Sequence, residues 1–182
     1  CATSKLSRLE PGGFHGRREE TELFYMYTDF TTPPAIYRYE PATGRSELFR
    51  RPETPFATEE YETRQVFVTS PDGTQVPMFL VARRNLPAGP RPTLLTAYGG
   101  FNISLHPGYS PVRAIWLEMG GVLAVANLRG GGEYGREWHE AGMLAKKQNV
   151  FDDFIACSEY LIEEGVTSRE RLAVEGRSDG GL

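Results

Sequence analysis

Three short apolar runs, each closed by glycine, set the tightest limit on the fold. Residues 93–98 (TLLTAY) run into Gly99-Gly100, residues 121–127 (GVLAVAN) lead to Gly130-Gly131-Gly132, and residues 172–175 (LAVE) end at Gly176. Runs apolar on both faces suit strands of a buried parallel sheet. Between the last two, the spacing of Phe151, Phe154, Ile155, Cys157, Tyr160, Leu161 and Ile162 predicts a helix over about 150–164. Asp152 and Asp153 fall in its first turn and Gly165 at its end. A second helix is predicted over 111–119. Ahead of these elements, residues 65–69 and 76–82 alternate around Pro71-Asp72-Gly73-Thr74, which predicts a hairpin. Strand and helix then alternate, so the class is α/β with a mostly parallel sheet.

The first part has another texture. Residues 23–27, 35–39 and 46–50 read as short strands, separated by Pro33-Pro34 and by a turn over 40–44. The spacing suits part of a propeller blade, and any small antiparallel meander fits as well. Residues 51–62 are rich in Pro, Thr and Glu. The boundary is placed there, giving a first domain over 1–59 and a second over 60–182.

Charge and cysteine content narrow the function classes. The net charge of -4 argues against a nucleic-acid partner. The 20 basic residues are scattered or paired and read as solvated surface. No stretch approaches the ~18 apolar residues of a membrane span. Cys1 and Cys157 form neither a disulfide framework nor a metal-ligand spacing. Cys157 reads as a buried small hydrophobe.

The strongest chemical signal is Gly176-Arg177-Ser178-Asp179-Gly180. A serine between two near glycines, after an apolar strand, reads as a nucleophile elbow. The turn is so sharp that flanking side chains would clash, and the serine oxygen stands exposed. The other reading is a glycine-rich turn whose serine has no chemical role. In such hydrolases a second oxyanion donor comes from the loop after an earlier strand, where Tyr98-Gly99-Gly100-Phe101 stands. A phenol donates more strongly as charge builds on the carbonyl oxygen. Taken alone, Tyr98 reads rather as a packed tyrosine at a strand end.

Longer stretches carry a resemblance. Residues 98–104 (YGGFNIS) resemble the YGGFNIS stretch of prolyl oligopeptidases. Residues 119–135 (MGGVLAVANLRGGGEYG) are similar to their MGGVLAVANIRGGGEYG, residues 147–154 to their KQNxFDDF, and the end to their GGSNGGLL. The resemblance covers about residues 60–182 firmly. It covers 1–59 more loosely, as the last blade of the family's propeller. It implies the first part of an α/β-hydrolase domain that stops after the elbow.

What the resemblance implies is hydrolysis of short peptides on the carboxyl side of proline, through an acyl-enzyme on Ser178. Tyr98 and the backbone N–H of Asp179 would donate to the oxyanion, and Phe101 would line the proline pocket. No cofactor, metal, nucleic acid or membrane is implied, and the full-length protein is expected to be a cytoplasmic monomer, with the periplasm as the alternative compartment. Alternative functions are a related oligopeptidase of different specificity and a catalytically impaired binding protein.

Two departures stand out. Asp179 occupies the family's usual asparagine position, and a carboxylate beside a developing oxyanion opposes the charge to be stabilised. Weaker catalysis is expected unless that side chain points away or is protonated. Arg177 replaces a common glycine and is expected on the solvent side. The triad acid and base should follow the serine, whereas His15, His106 and His139 all precede it. His139 is read as structural, and Glu133, Asp152 and Asp153 as serving loop order and helix capping. The chain, which begins without Met, is therefore expected to be a fragment, insoluble or inactive by itself.

Overall fold

A computed structural model describes residues 12–15, 17, 19–87 and 89–181. The chain divides into two compact units, one of residues 1–59 with 106–114, the other of residues 60–105 with 115–182.

The first unit holds an antiparallel sheet of β1 (Gly12–His15), β2 (Leu23–Tyr27), β3 (Ala35–Glu40) and β4 (Arg45–Arg50), side by side in chain order. The last three are the strands expected from the sequence, and β1 adds a fourth. Aromatic residues fix the register: Tyr25 lies opposite Tyr37, with ring centres 5.3 Å apart and nearly parallel. The chain between β2 and β3 is turned by Asp29, whose Oδ1 accepts the N–H groups of Thr31 and Thr32 at 2.8 and 2.7 Å.

The second unit is built on β5 (Tyr61–Thr69), β6 (Gln75–Arg83), β7 (Thr93–Ala97), β8 (Val122–Ala126) and β9 (Leu172–Glu175), in the spatial order β5-β6-β8-β7-β9. Helix α1 (Pro111–Glu118) precedes β8, and α2 (Arg136–Glu140) and α3 (Gln148–Glu163) lie between β8 and β9. The α/β class holds, but the sheet is mixed where a mostly parallel one was expected. β7 runs parallel to both β8 and β9, while β6 runs antiparallel to both β5 and β8. The cause is the 71–74 turn, which returns β6 along β5 and presents its reversed edge to β8.

Every residue of β8 is buried, as a strand apolar on both faces requires. β9, apolar but for Glu175, borders only β7 among the described strands, and Val174 is 61% exposed. Helix α3 covers one face of the sheet, where its Val150, Cys157 and Leu161 meet Met78, Leu80, Leu95 and Ala126. Burial of a side chain such as Leu161 contributes about 1.5–3 kcal/mol. Among the described residues no helix is long and apolar enough to cross a membrane.

Candidate active site

The site grows from the way β9 ends. After Glu175 the chain turns at Gly176 and enters a single 3₁₀ turn, Ser178–Gly181, closed by the Gly180 N–H donating to the Arg177 carbonyl at 3.0 Å. Ser178 is exposed and sits at φ 56°, in the left-handed region that a side chain enters only at a cost. The flanking glycines answer a different need. A Cβ on Gly176 would run into the Gly180 carbonyl, with the Gly181 Cα at 2.8 Å. A Cβ on Gly180 would stand 2.6 Å from the Ala97 carbonyl oxygen and 3.1 Å from the Tyr98 Cα. The elbow is thus folded tightly on itself and seated against the end of β7.

The loop after β7 forms the other wall. Gly99 adopts φ 65°, and a Cβ there would lie 2.5 Å from Val150 Cγ1 of α3. Phe101 and Asn102 are left-handed as well, at φ 52° and 57°. The loop closes on itself through the Ile103 N–H and Gly100 carbonyl at 3.0 Å, and on the β8 side through the Asn102 N–H and Gly130 carbonyl at 3.1 Å. Tyr98 is half-buried, and Phe101 is 72% exposed.

Asp179 does not stand as an isolated charge. Its Oδ2 accepts from Lys147 Nζ at 2.7 Å, and the same ammonium donates to the Gly99 carbonyl at 3.1 Å. A Cβ on Gly100 would strike Asp179 Oδ2, so the carboxylate lies over a backbone without a side chain. A cavity of about 400 Å³, lined mostly by apolar atoms, borders the elbow between α3 and β9. Tyr98, Lys147 and Asp179 line it together with Phe154, Ile155 and Val174. Ser178 and Phe101 are not among its lining residues.

The Gly-rich loop after β8 is held from below. Arg129, one of the basic residues expected on the surface, is instead buried. Its Nε and Nη2 donate to the fully buried Asp153 at 2.9 and 2.6 Å, and its Nη1 to Asp72. Ser70 Oγ donates to Asp153 Oδ1 at 2.6 Å. These hydrogen bonds push the guanidinium above its ordinary value, Asp153 contributing most. The same guanidinium, with the Thr74 N–H, draws the Asp72 carboxyl down to about 2. Asp153 therefore does not cap α3. The helix begins at Gln148, which carries both acids beyond its first turn, and Asp152 instead accepts from Gln148 Nε2 at 2.9 Å.

Upstream acids and rings order the loops. Glu133 Oε1 accepts from the Leu105 N–H at 2.9 Å and from Asn127 Nδ2 at 3.0 Å. The ring Nδ1 of His139 lies 2.7 Å from the Gly130 carbonyl, and Trp138 Nε1 donates to the Leu128 carbonyl at 3.0 Å. Arg177 is exposed. Lys147 escaped the reading of the sequence as a site residue. The residues it joins, Gly99 and Asp179, lie 48 and 32 positions away, and only the packing of α3 brings them together.

Comparison with known proteins matches residues 107–182 to the profile described as prolyl oligopeptidase family, and residues 7–52 to that described as prolyl oligopeptidase, N-terminal beta-propeller domain. A prolyl endopeptidase of Elizabethkingia meningoseptica is 52% identical over 171 residues, covering 93% of this chain and 24% of the relative. A solved chain from work on two prolyl endopeptidases superposes with a TM-score of 0.88 at 48% identity, over 95% of this chain and 26% of that one. Oligopeptidase B of Trypanosoma brucei, with covalently bound antipain, gives a TM-score of 0.82 at 36% identity, over 89% of this chain and 23% of its own. The chain spans about a quarter of the length of the curated relatives it matches.

Proposed function

This chain belongs to the prolyl oligopeptidase family, and from that premise we propose that the protein is a serine peptidase hydrolysing short peptides after proline, with Ser178 as nucleophile. The observation that carries the proposal is the elbow itself: Ser178 at a left-handed φ between two glycines whose Cβ positions are blocked by backbone. A fold does not fix an activity, and a strained serine on such a turn is the part of this one that does chemistry.

In this reading the Ser178 hydroxyl attacks the carbonyl carbon of the substrate proline and surrenders its proton to a general base. The tetrahedral oxyanion takes hydrogen bonds from the Tyr98 hydroxyl and the Asp179 backbone N–H. Collapse breaks the C–N bond, the amine leaves with the proton returned by the base, and the acyl-enzyme on Ser178 is then cleaved by water. Phe101 offers its exposed ring to the substrate proline. The base and its orienter are assigned to chain following Ser178. His139 precedes Ser178 in the chain, against the order Ser, Asp, His of this fold, and is read as structural.

Residues 1–59 are assigned to the end of a propeller domain and residues 60–182 to the first part of the catalytic domain. The protein is proposed to act as a monomer in the cytoplasm, with the periplasm as the alternative. Proline specificity is favoured over that of an oligopeptidase B by the higher identity to prolyl endopeptidases. The non-enzymatic reading rested on Asp179, whose charge is countered by Lys147.

The test is hydrolysis of a fluorogenic peptide with proline before the reporter, by the full-length protein. Turnover that disappears in Ser178→Ala is expected. Cleavage of arginyl but not prolyl reporters would contradict the specificity.

A further inference from the structure

We infer that Lys147 is a positioning residue for the oxyanion site: one ammonium group neutralises the Asp179 carboxylate and ties it to the loop that carries Tyr98. The inference rests on the reading of Ser178 as nucleophile, and it deepens that reading.

Three observations meet at this point. Lys147 Nζ lies 2.7 Å from Asp179 Oδ2 and 3.1 Å from the Gly99 carbonyl, so two of its three donors are spent on the two walls of the site. The pair is screened from solvent, with side-chain exposures of 27% for Lys147 and 15% for Asp179. The carboxylate is received over Gly100, where any Cβ would collide with Oδ2. Lys147 immediately precedes α3, to which its carbonyl is joined by the Val150 N–H at 3.0 Å, and α3 is anchored through the buried Asp153 and Arg129. The cation thus stands on a fixed base.

The consequence is electrostatic. An oxyanion forming beside Ser178 meets the charge of Asp179 one residue away, on a carboxylate that is itself only 15% exposed. With Lys147 in place the carboxylate is half of an ion pair, and its field at the oxyanion is reduced to that of a dipole. Without Lys147 the charge stands alone, and the tether between the Gly99 carbonyl and the elbow is lost with it. The chain thus accommodates an acid directly after its nucleophile.

The experiment is a double-mutant cycle on the full-length protein, read as the rate of fluorophosphonate labelling at Ser178. Labelling builds negative charge at the same oxyanion site and needs no proline, so it separates this inference from the substrate reading. Lys147→Met is expected to slow labelling about thirtyfold in the parent, and less than about threefold in the D179N background. Lys147→Gln, which keeps a hydrogen-bond donor without charge, is expected to behave as K147M does and serves if K147M fails to fold. Equal slowing in both backgrounds would mean that Lys147 only packs, and would overturn the inference. So would labelling at the parent rate in K147M. A parent that labels normally but leaves prolyl peptides uncut would contradict the substrate reading alone. A folded parent that does not label would remove the nucleophile and the clamp together.

Discussion

At the residue scale the elbow is governed by space. Gly180 has no room for a methyl group, since the Ala97 carbonyl would stand 2.6 Å from it and both partners are backbone. Gly180→Ala must therefore lift the elbow off the end of β7. Labelling at Ser178 is expected to fall at least about a hundredfold, because a displacement of even 1 Å is costly to catalysis. Retention of most of the parent rate would show that the seat on β7 does not position the nucleophile. The need for glycine at 176 and 180 was legible in the sequence, because the spacing around a serine states it directly. The fate of Asp179 was not, because it turns on a lysine brought from the start of α3. Cys157 gives a second residue-scale outcome. Burial pushes its thiol up to about 12, with Asp153 adding to the effect. An unfolded thiol ionises near about 8.5, so between those values only the unfolded chain gains a thiolate, and alkaline pH disfavours the fold. Iodoacetamide at pH 8.5 is expected to leave Cys157 unmodified until denaturant is added. Rapid alkylation of Cys157 in the native protein, located by peptide mapping, would contradict this burial.

At the element scale one buried ionic cluster joins the β5–β6 turn, the loop after β8 and helix α3. Asp153 makes no contribution as a cap; it holds Arg129, and Arg129 holds the turn through Asp72. Removing Asp153 leaves a buried guanidinium short of its main partner. Asp153→Ala is expected to cost about 3–5 kcal/mol in chemical denaturation. Asp72→Ala is expected to cost less than about 1 kcal/mol, because its side chain is 47% exposed. Equal costs would contradict the division between buried and surface partners. The pH dependence has a definite sign. The Asp72 carboxyl is held at about 2 in the fold, below the ~3.9 of an unfolded aspartate. Its stabilisation is complete above about pH 4 and is lost as pH falls through about 2. The elements themselves were legible. Helix α3 follows from apolar spacing, and strands β7 and β8 from short continuous apolar runs closed by glycine. The roles of Arg129 and Asp153 were not, because an Arg beside a Gly-rich loop looks the same whether it points into solvent or under the sheet. Strand β9 shows the converse: an apolar run specifies a strand without specifying what covers it.

At the scale of the whole molecule, the sequence changes texture after residue 50, and the chain divides into two compact units. What texture could not convey is that residues 106–114 group with the first unit, because that return depends on three-dimensional contact. Nor could it convey the mixed sheet, since apolar runs carry no sign of direction and only the hairpin turn does. The resemblance alone proposes Tyr98 as a donor, where the residue by itself reads as packing. The structure places Tyr98 and Asp179 on the wall of one cavity next to the turn that carries Ser178.

The most direct measurement is to treat the folded full-length protein with a fluorophosphonate and map the modified peptide. A single phosphonylated residue, Ser178, is expected, with no labelling in Ser178→Ala. A folded protein that stays unlabelled, or a label on any other serine, would contradict it.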